Sequence, residues 1–118
     1  MAGEAQADCL FCKIVAGEIP ATIVRETPTT LAFRDINPKA PTHVLVIPRV
    51  HYPDAATLAA GDPDALAAVL REAGEVAAQE KVDGTGYRIV FNTGPGAGQT
   101  VFHAHAHVLG GRDLQRLV

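Results

Sequence analysis

A chain of 118 residues, 47% of them hydrophobic, has the size of one domain and can bury a core without disulfide staples. Its formal charge of −3 and the lack of any basic run exclude a general electrostatic surface for nucleic acid or an acidic membrane, so an anionic ligand must be held locally. No stretch approaches the roughly 20 apolar residues of a membrane span, and the N-terminus lacks the charged-then-apolar layout of a secretory leader, so the cytoplasm is the expected location.

Residues 1–8 are small and polar without periodicity, and are expected to form a loose tail before a single domain over 9–118. Cys9 and Cys12 stand too close in sequence for a stabilising disulfide, which leaves a metal or redox role. Short β-branched segments follow at Thr22–Arg25, Thr29–Arg34 and His43–Ile47. They are separated by Pro28 and by Asn37-Pro38-Lys39-Ala40-Pro41, and read as successive antiparallel strands. Asp62-Pro63 supplies a helix start, with Asp62 as cap and Pro63 in the first turn. Leu66, Val69, Leu70, Ala73, Val76 and Ala77 recur at three- and four-residue intervals and give a helix to about Lys81 an apolar face for the core. Asp83-Gly84-Thr85-Gly86 ends it, and Tyr87–Asn92 alternates as a strand. Beyond the glycine-rich Gly94–Gly98 turn, Thr100–Leu109 resumes an extended pattern.

That last segment carries His103, His105 and His107. A side-chain period of two places the three on one face of a strand, with small Ala104 and Ala106 on the other. Three imidazoles in a row are a poor choice for burial alone, because each has a donor and an acceptor to satisfy. Two kinds of chemistry suit them. The row can chelate a catalytic metal, although such sites usually recruit a further ligand nearby and none follows before Asp113. Alternatively, one neutral imidazole attacks phosphorus while its neighbours stabilise the phosphoryl oxygens. The Gly94-Pro95-Gly96-Ala97-Gly98-Gln99-Thr100 turn can supply backbone N–H donors for such a group without Cβ obstruction.

The run Gly98–Arg112, with its His-x-His-x-His core followed by apolar residues, resembles the signature of the histidine triad superfamily. Upstream, Phe11–Pro20, Ala32–Pro38 and Ala40–Pro48 resemble its Hint branch, the purine nucleoside phosphoramidase group, so the likeness spans about Cys9 to Arg112. It implies an α+β fold: a five-stranded antiparallel sheet with one long and one short helix, the sheet continuing across a homodimer. By position, His105 resembles the family nucleophile, which forms a covalent nucleotidyl-histidine, with His103 and His107 flanking it. The resemblance sets His107, Asn92, Gly98, Gln99 and Thr100 around the α-phosphate, Asp35 on the ribose hydroxyls, Ile36 against the base, and His43 along the site wall. A carboxylate suits a vicinal diol as a bidentate acceptor, and an apolar wall suits a purine face. Thr100 stands where relatives carry serine and still offers a hydroxyl. The end of the chain, Asp113-Leu114-Gln115-Arg116-Leu117-Val118, departs from the tryptophan and prolines common in the family, which bears on leaving-group preference.

Cys9 and Cys12 can supply half of a tetrahedral zinc site, and His51 and His103, the histidines not required for phosphate chemistry, would bring the expected count of ligands to four. Many bacterial relatives resemble this arrangement, a structural rather than catalytic zinc, with no organic cofactor. The implied activity is hydrolysis of purine nucleoside 5'-phosphoramidates derived from AMP or GMP. The alternatives are a dinucleoside polyphosphate hydrolase or nucleotidyltransferase, a purine-nucleotide sensor with little turnover, and a metal-dependent hydrolase using the histidine row.

Overall fold

A computed structural model describes residues 3–114 of the chain; Met1, Ala2 and the end of the atypical tail, 115–118, lie outside the described residues. Helix α1, Leu10–Val15, comes first and is capped by the Cys9 side chain, whose sulfur accepts the Cys12 N–H. Strands β1 (Ile23–Glu26), β2 (Thr30–Arg34) and β3 (Thr42–Pro48) follow the three β-branched segments. Next come α2 (Ala55–Gly61), α3 (Pro63–Gln79), β4 (Tyr87–Val90), a 3-10 turn at Pro95–Ala97, and β5 (Ala106–Gly110). The five strands form one antiparallel sheet in the order β1-β2-β3-β5-β4. Among the described residues no helix is long and apolar enough to cross a membrane.

The long helix starts and ends for local reasons. Asp62 accepts the Ala65 N–H, with Pro63 in the first turn. At the other end Lys81 N–H donates to Ala78 and Val82 N–H to Ala77, with Lys81 at a positive φ of 62°. Those two bonds close the helix two residues before Lys81 and fold buried Val82 back under it. One face of the sheet, carrying Ala32, Val44, Val46, Ala106 and Val108, packs on Val69, Ala73 and Val76 of α3, all fully or nearly fully buried. Leu70, at the edge of the expected apolar stripe, is instead exposed. Gly110 is required here, because a Cβ on it would stand 2.9 Å from that of Val82.

The opposite sheet face positions the site. Register places Leu45 opposite His107 and His43 opposite Leu109, so His43, Leu45, Ile47 and His107 share that face. Leu31, Phe33, Leu45 and Ile47 bury Phe11 of α1 against it.

Two expectations need correction. The strand expected over Thr100–Leu109 is laddered only from Ala106, so His103 and His105 lie before it and His107 within it. The last rung to β3 is Val46 with Ala106; two residues further along β3, Pro48 has no N–H to offer and its carbonyl pairs with a His103 ring nitrogen. The helix count also rises. Besides α3 there are two short α-helices among the described residues, and α2 is held by a reciprocal cap between Asp54 and Thr57 and ends on Asp62, the residue that starts α3.

Candidate active site and metal centre

Each histidine in the site is held by a partner that settles which ring nitrogen carries the proton. His105 Nδ1 lies 2.7 Å from the His103 carbonyl. A carbonyl only accepts, so Nδ1 is the donor and a neutral ring keeps its lone pair on Nε2. His43 Nδ1 accepts the Lys39 main-chain N–H at 3.0 Å, which leaves the His43 proton on Nε2. That nitrogen is 2.9 Å from His107 Nδ1 and donates to it, so His107 in turn presents N–H from Nε2. The Asn92 carboxamide stands 3.5 Å from the same Nε2. The result is a lone pair on His105 beside a donor on His107, the two rings 4.9 Å apart.

Burial keeps these rings neutral. It lowers the pKa of His105, against the opposing pull of the His103 carbonyl and the Asp35 charge. For His107, burial and then the neighbouring His105 and His43 bring the value to about 4. His43 is lowered by burial, with the Asp35 carboxylate opposing at 3.4 Å.

A cavity of about 680 Å³ opens on this pair. It is lined by Asp35, Ile36, Thr100, His105 and His107 of the expected residues, and by Phe11, Ile14, Phe33 and Leu45 from α1 and the sheet. Its lining therefore joins apolar side chains to two imidazoles, a hydroxyl and a carboxylate. Asp35 is held in its turn by accepting the Asn37 N–H at 2.7 Å, and Ile36 is 92% exposed at the rim.

The remaining expected residues are placed around this cavity rather than along it. His43 stands behind His107 as its donor. Gly98, at φ 91°, ends the 3-10 turn in the left-handed conformation that favours glycine. Gln99 is turned inward, its oxygen accepting the Gly94 N–H at 2.8 Å and its nitrogen donating to the Pro53 and Val101 carbonyls. Its side chain therefore braces the loop that precedes Thr100.

His103 belongs to a separate cluster. Fully buried, it donates from Nε2 to the Pro48 carbonyl at 2.8 Å, which frees Nδ1 as a lone pair. That nitrogen lies 3.6 Å from the sulfurs of Cys9 and Cys12 and 3.2 Å from His51 Nδ1, itself 3.3 Å from the Cys12 sulfur. Zinc in a tetrahedron, with bonds of about 2.3 Å to sulfur and 2.0–2.1 Å to nitrogen, sets N···N near about 3.3 Å and S···N near about 3.6 Å. The four separations fit, and both cysteines are free thiols. Burial pushes the Cys12 thiol up and the His51 ring down, so a cation is what would favour thiolates there. A second group with ligand atoms in mutual reach, Asp35, His43 and His107, coincides with the hydrogen-bonded chain described above.

Phe11, Phe33 and Leu45 were not expected as site residues. For Phe33 and Leu45 the signal was present as the apolar face of β2 and β3, but periodicity cannot say which side of a sheet faces a cavity; Phe11 comes from the short helix α1. The Lys39 amide left no side-chain signal at all.

Residues 16–114 match the HIT domain family. The chain is 42% identical over 107 residues to the purine nucleoside phosphoramidase of Escherichia coli K12, covering 91% of this chain and 90% of that protein. It is 48% identical over 109 residues to a 14 kDa zinc-binding protein of Zea mays, covering 89% and 83%. Among solved structures, a HIT family hydrolase from Clostridium thermocellum superposes with a TM-score of 0.89 at 41% identity, covering 92% of this chain and 95% of that one.

Proposed function

This chain belongs to the HIT domain family, and on that premise we propose that it hydrolyses purine nucleoside 5'-phosphoramidates through a nucleotidyl-His105 intermediate. The observation that carries the reading is the free Nε2 lone pair of a neutral His105, its other nitrogen tied to the His103 carbonyl, on the wall of a cavity that also holds Asp35.

In the first step His105 Nε2 attacks the α-phosphorus, the N–P bond to the enzyme forms, and the P–N bond to the leaving amine breaks as that amine takes up a proton from solvent. In the second, water attacks the same phosphorus and gives up a proton to solvent, the His105–phosphorus bond breaks, and the nucleoside monophosphate leaves with the imidazole restored. His107 Nε2–H, Asn92, the Thr100 hydroxyl and the Gly98–Thr100 turn serve the phosphoryl oxygens, where negative charge develops. Asp35 accepts from the ribose hydroxyls, and Ile36 with the apolar wall receives the base. The proton of His105 stays on Nδ1 throughout attack, so the carbonyl of His103 stabilises the ring as it becomes cationic.

Cys9, Cys12, His51 and His103 would hold a zinc ion, a reading supported by their separations and by the similar zinc-binding protein. Four protein ligands close the coordination sphere, so the ion would tie α1 to the end of β3 and serve no Lewis-acid role. The reading includes a cytoplasmic location and a homodimer; the dimer is supported by β4, which ends the sheet with an outer edge that a second copy can extend.

The test is hydrolysis of a fluorogenic adenosine 5'-phosphoramidate by the wild type and His105→Ala, with and without a strong chelator, with mass spectrometry for the adduct. Prompt turnover in the presence of chelator, lost in the variant together with the adduct, is expected. Immediate loss on chelation would point to metal chemistry at the Asp35, His43 and His107 group. A folded wild type that binds AMP without turnover would support the sensor reading.

A further inference from the structure

The nucleophile and the metal cluster share a residue. His103 offers its ring to the cysteines and His51, and its main-chain carbonyl to the nucleophile's Nδ1–H at 2.7 Å. That carbonyl is outside the sheet ladder, which begins at Ala106. The backbone there is fixed by the Ala104 N–H donating to the Tyr52 carbonyl at 2.7 Å and by whatever holds the His103 side chain. A second route runs through Phe11. Placed between the two cysteines on α1, its ring meets His105 edge-on at a centroid distance of 5.1 Å and His103 at 6.0 Å.

We propose that the Cys9/Cys12/His51/His103 centre is a positioning device for the nucleophile: metal binding fixes the His103 carbonyl and the Phe11 ring, and these two together set the tautomer and direction of the His105 imidazole. The inference rests on His105 being the attacking group, and it assigns His103 and Phe11 as positioning residues for that reaction.

The physical reason is a deficit of other restraints. Imidazole has two tautomers of similar stability, and only the one with its proton on Nδ1 leaves Nε2 able to attack. One hydrogen bond chooses between them. A carbonyl at 2.7 Å makes that choice, but its location depends on a ring whose Nδ1 has, in this cluster, only thiols and a second imidazole nitrogen for company. Without a cation, those groups must share protons among themselves, and their preferred arrangement need not be the tetrahedron. With a cation, the four separations already seen are those required. Misplacement of an attacking atom by a fraction of an ångström is enough to slow a displacement at phosphorus. A cavity of about 360 Å³ lined by Asp8, Cys9 and His51 opens on the centre, so a chelator can reach it over time.

The experiment compares zinc-loaded wild type, the same protein stripped by prolonged chelation, Cys12→Ser, and Phe11→Leu. Bound zinc, the imidazole nitrogen NMR spectrum at fixed pH, AMP affinity and phosphoramidate kinetics are measured on each. Stripping or Cys12→Ser is expected to lower kcat by about tenfold to a hundredfold, with AMP affinity within about twofold, because Phe11 alone of the wall is disturbed while Asp35, Ile36, Phe33 and Leu45 keep their places. The His105 nitrogen signals should change from a single Nδ1–H tautomer to a mixture, with those of His43 and His107 unchanged. Phe11→Leu should keep its zinc and show a smaller loss of the same kind.

Stripped protein that remains folded with an unchanged His105 spectrum and kcat would overturn the proposal and leave the metal as a staple. If stripped and cysteine variants fail to fold, Phe11→Leu decides: full zinc with unaltered spectrum and kcat overturns it. If the wild type shows no turnover yet the His105 signals still follow metal loading, the hydrolase reading fails while the positioning stands.

Discussion

His43 is where the proposed chemistry is most open to a sharp perturbation. Replacing it with phenylalanine keeps a buried ring but removes both nitrogens, and with them the 3.0 Å bond from the Lys39 amide and the 2.9 Å bond to His107. Lys39 is exposed and its amide can turn to water. His107 Nδ1, behind the site, cannot. Leaving that atom without a partner costs about 1–3 kcal/mol of stability, a fall of roughly 4–8 °C in Tm for each kcal/mol in a small domain. The larger effect is on function, because nothing then prefers the tautomer that presents N–H from Nε2. In the other tautomer a lone pair faces the phosphoryl oxygens and opposes the charge that develops there. A loss of about tenfold to a hundredfold in kcat is expected, which is about 1.4–2.8 kcal/mol in the barrier. KM should move little, since ribose and base contacts are elsewhere. His43→Gln can accept from Lys39 and donate to His107, and should recover most of the rate. Initial rates on an adenosine phosphoramidate with a parallel thermal melt test this. Full kcat in a folded His43→Phe protein, or His43→Gln as slow as His43→Phe, would refute the donor chain.

Four further outcomes follow from the same geometry. Burial depresses His105, and His107 to about 4; hence the acid limb of kcat/KM should fall below the ordinary imidazole value near about 6.5. The unfolded chain protonates these rings first, so their contribution to stability is complete above about pH 6.5 and is lost as the pH falls from there toward about 4, which melts across that window would show. Asp35→Asn should raise KM for a ribonucleoside phosphoramidate about tenfold and for its 2'-deoxy analogue much less, and equal losses would remove Asp35 from the ribose. Gly98→Ala meets no atom within 4 Å, so only the positive φ resists it; a cost of about 1–2 kcal/mol in a denaturant titration is expected, with a rise in KM if the turn carries phosphate donors.

Much of the fold was legible because its elements announce themselves locally. Asp62-Pro63 marks a helix start that needs no tertiary information, and the β-branched runs locate β1 to β3 within a residue or two. Short helices were harder. Ala55–Gly61 is seven residues of mostly alanine, and its cap, Asp54, resembles any turn aspartate until Thr57 answers it. The end of α3 depended on the backbone choosing a left-handed Lys81, a conformation that carries a penalty and is visible only from the bonds it permits.

The site divides along a different line. Residue types and their spacing pick out His105 and the cysteine pair, because those patterns have few other uses. What they cannot convey is that alternate histidines serve different masters. A continuous strand would have set the three rings side by side, as the period of two implies. The ladder stops at Ala106, so only His107 takes its direction from the sheet, and His103 is free to turn toward cysteines 91 and 94 residues away in sequence. That departure from the strand separates the His103 ring from that of His107 while leaving the His103 carbonyl against His105 Nδ1. A regular sheet would have paired that carbonyl in its own ladder; ending the ladder early is what makes it available to choose the tautomer of His105.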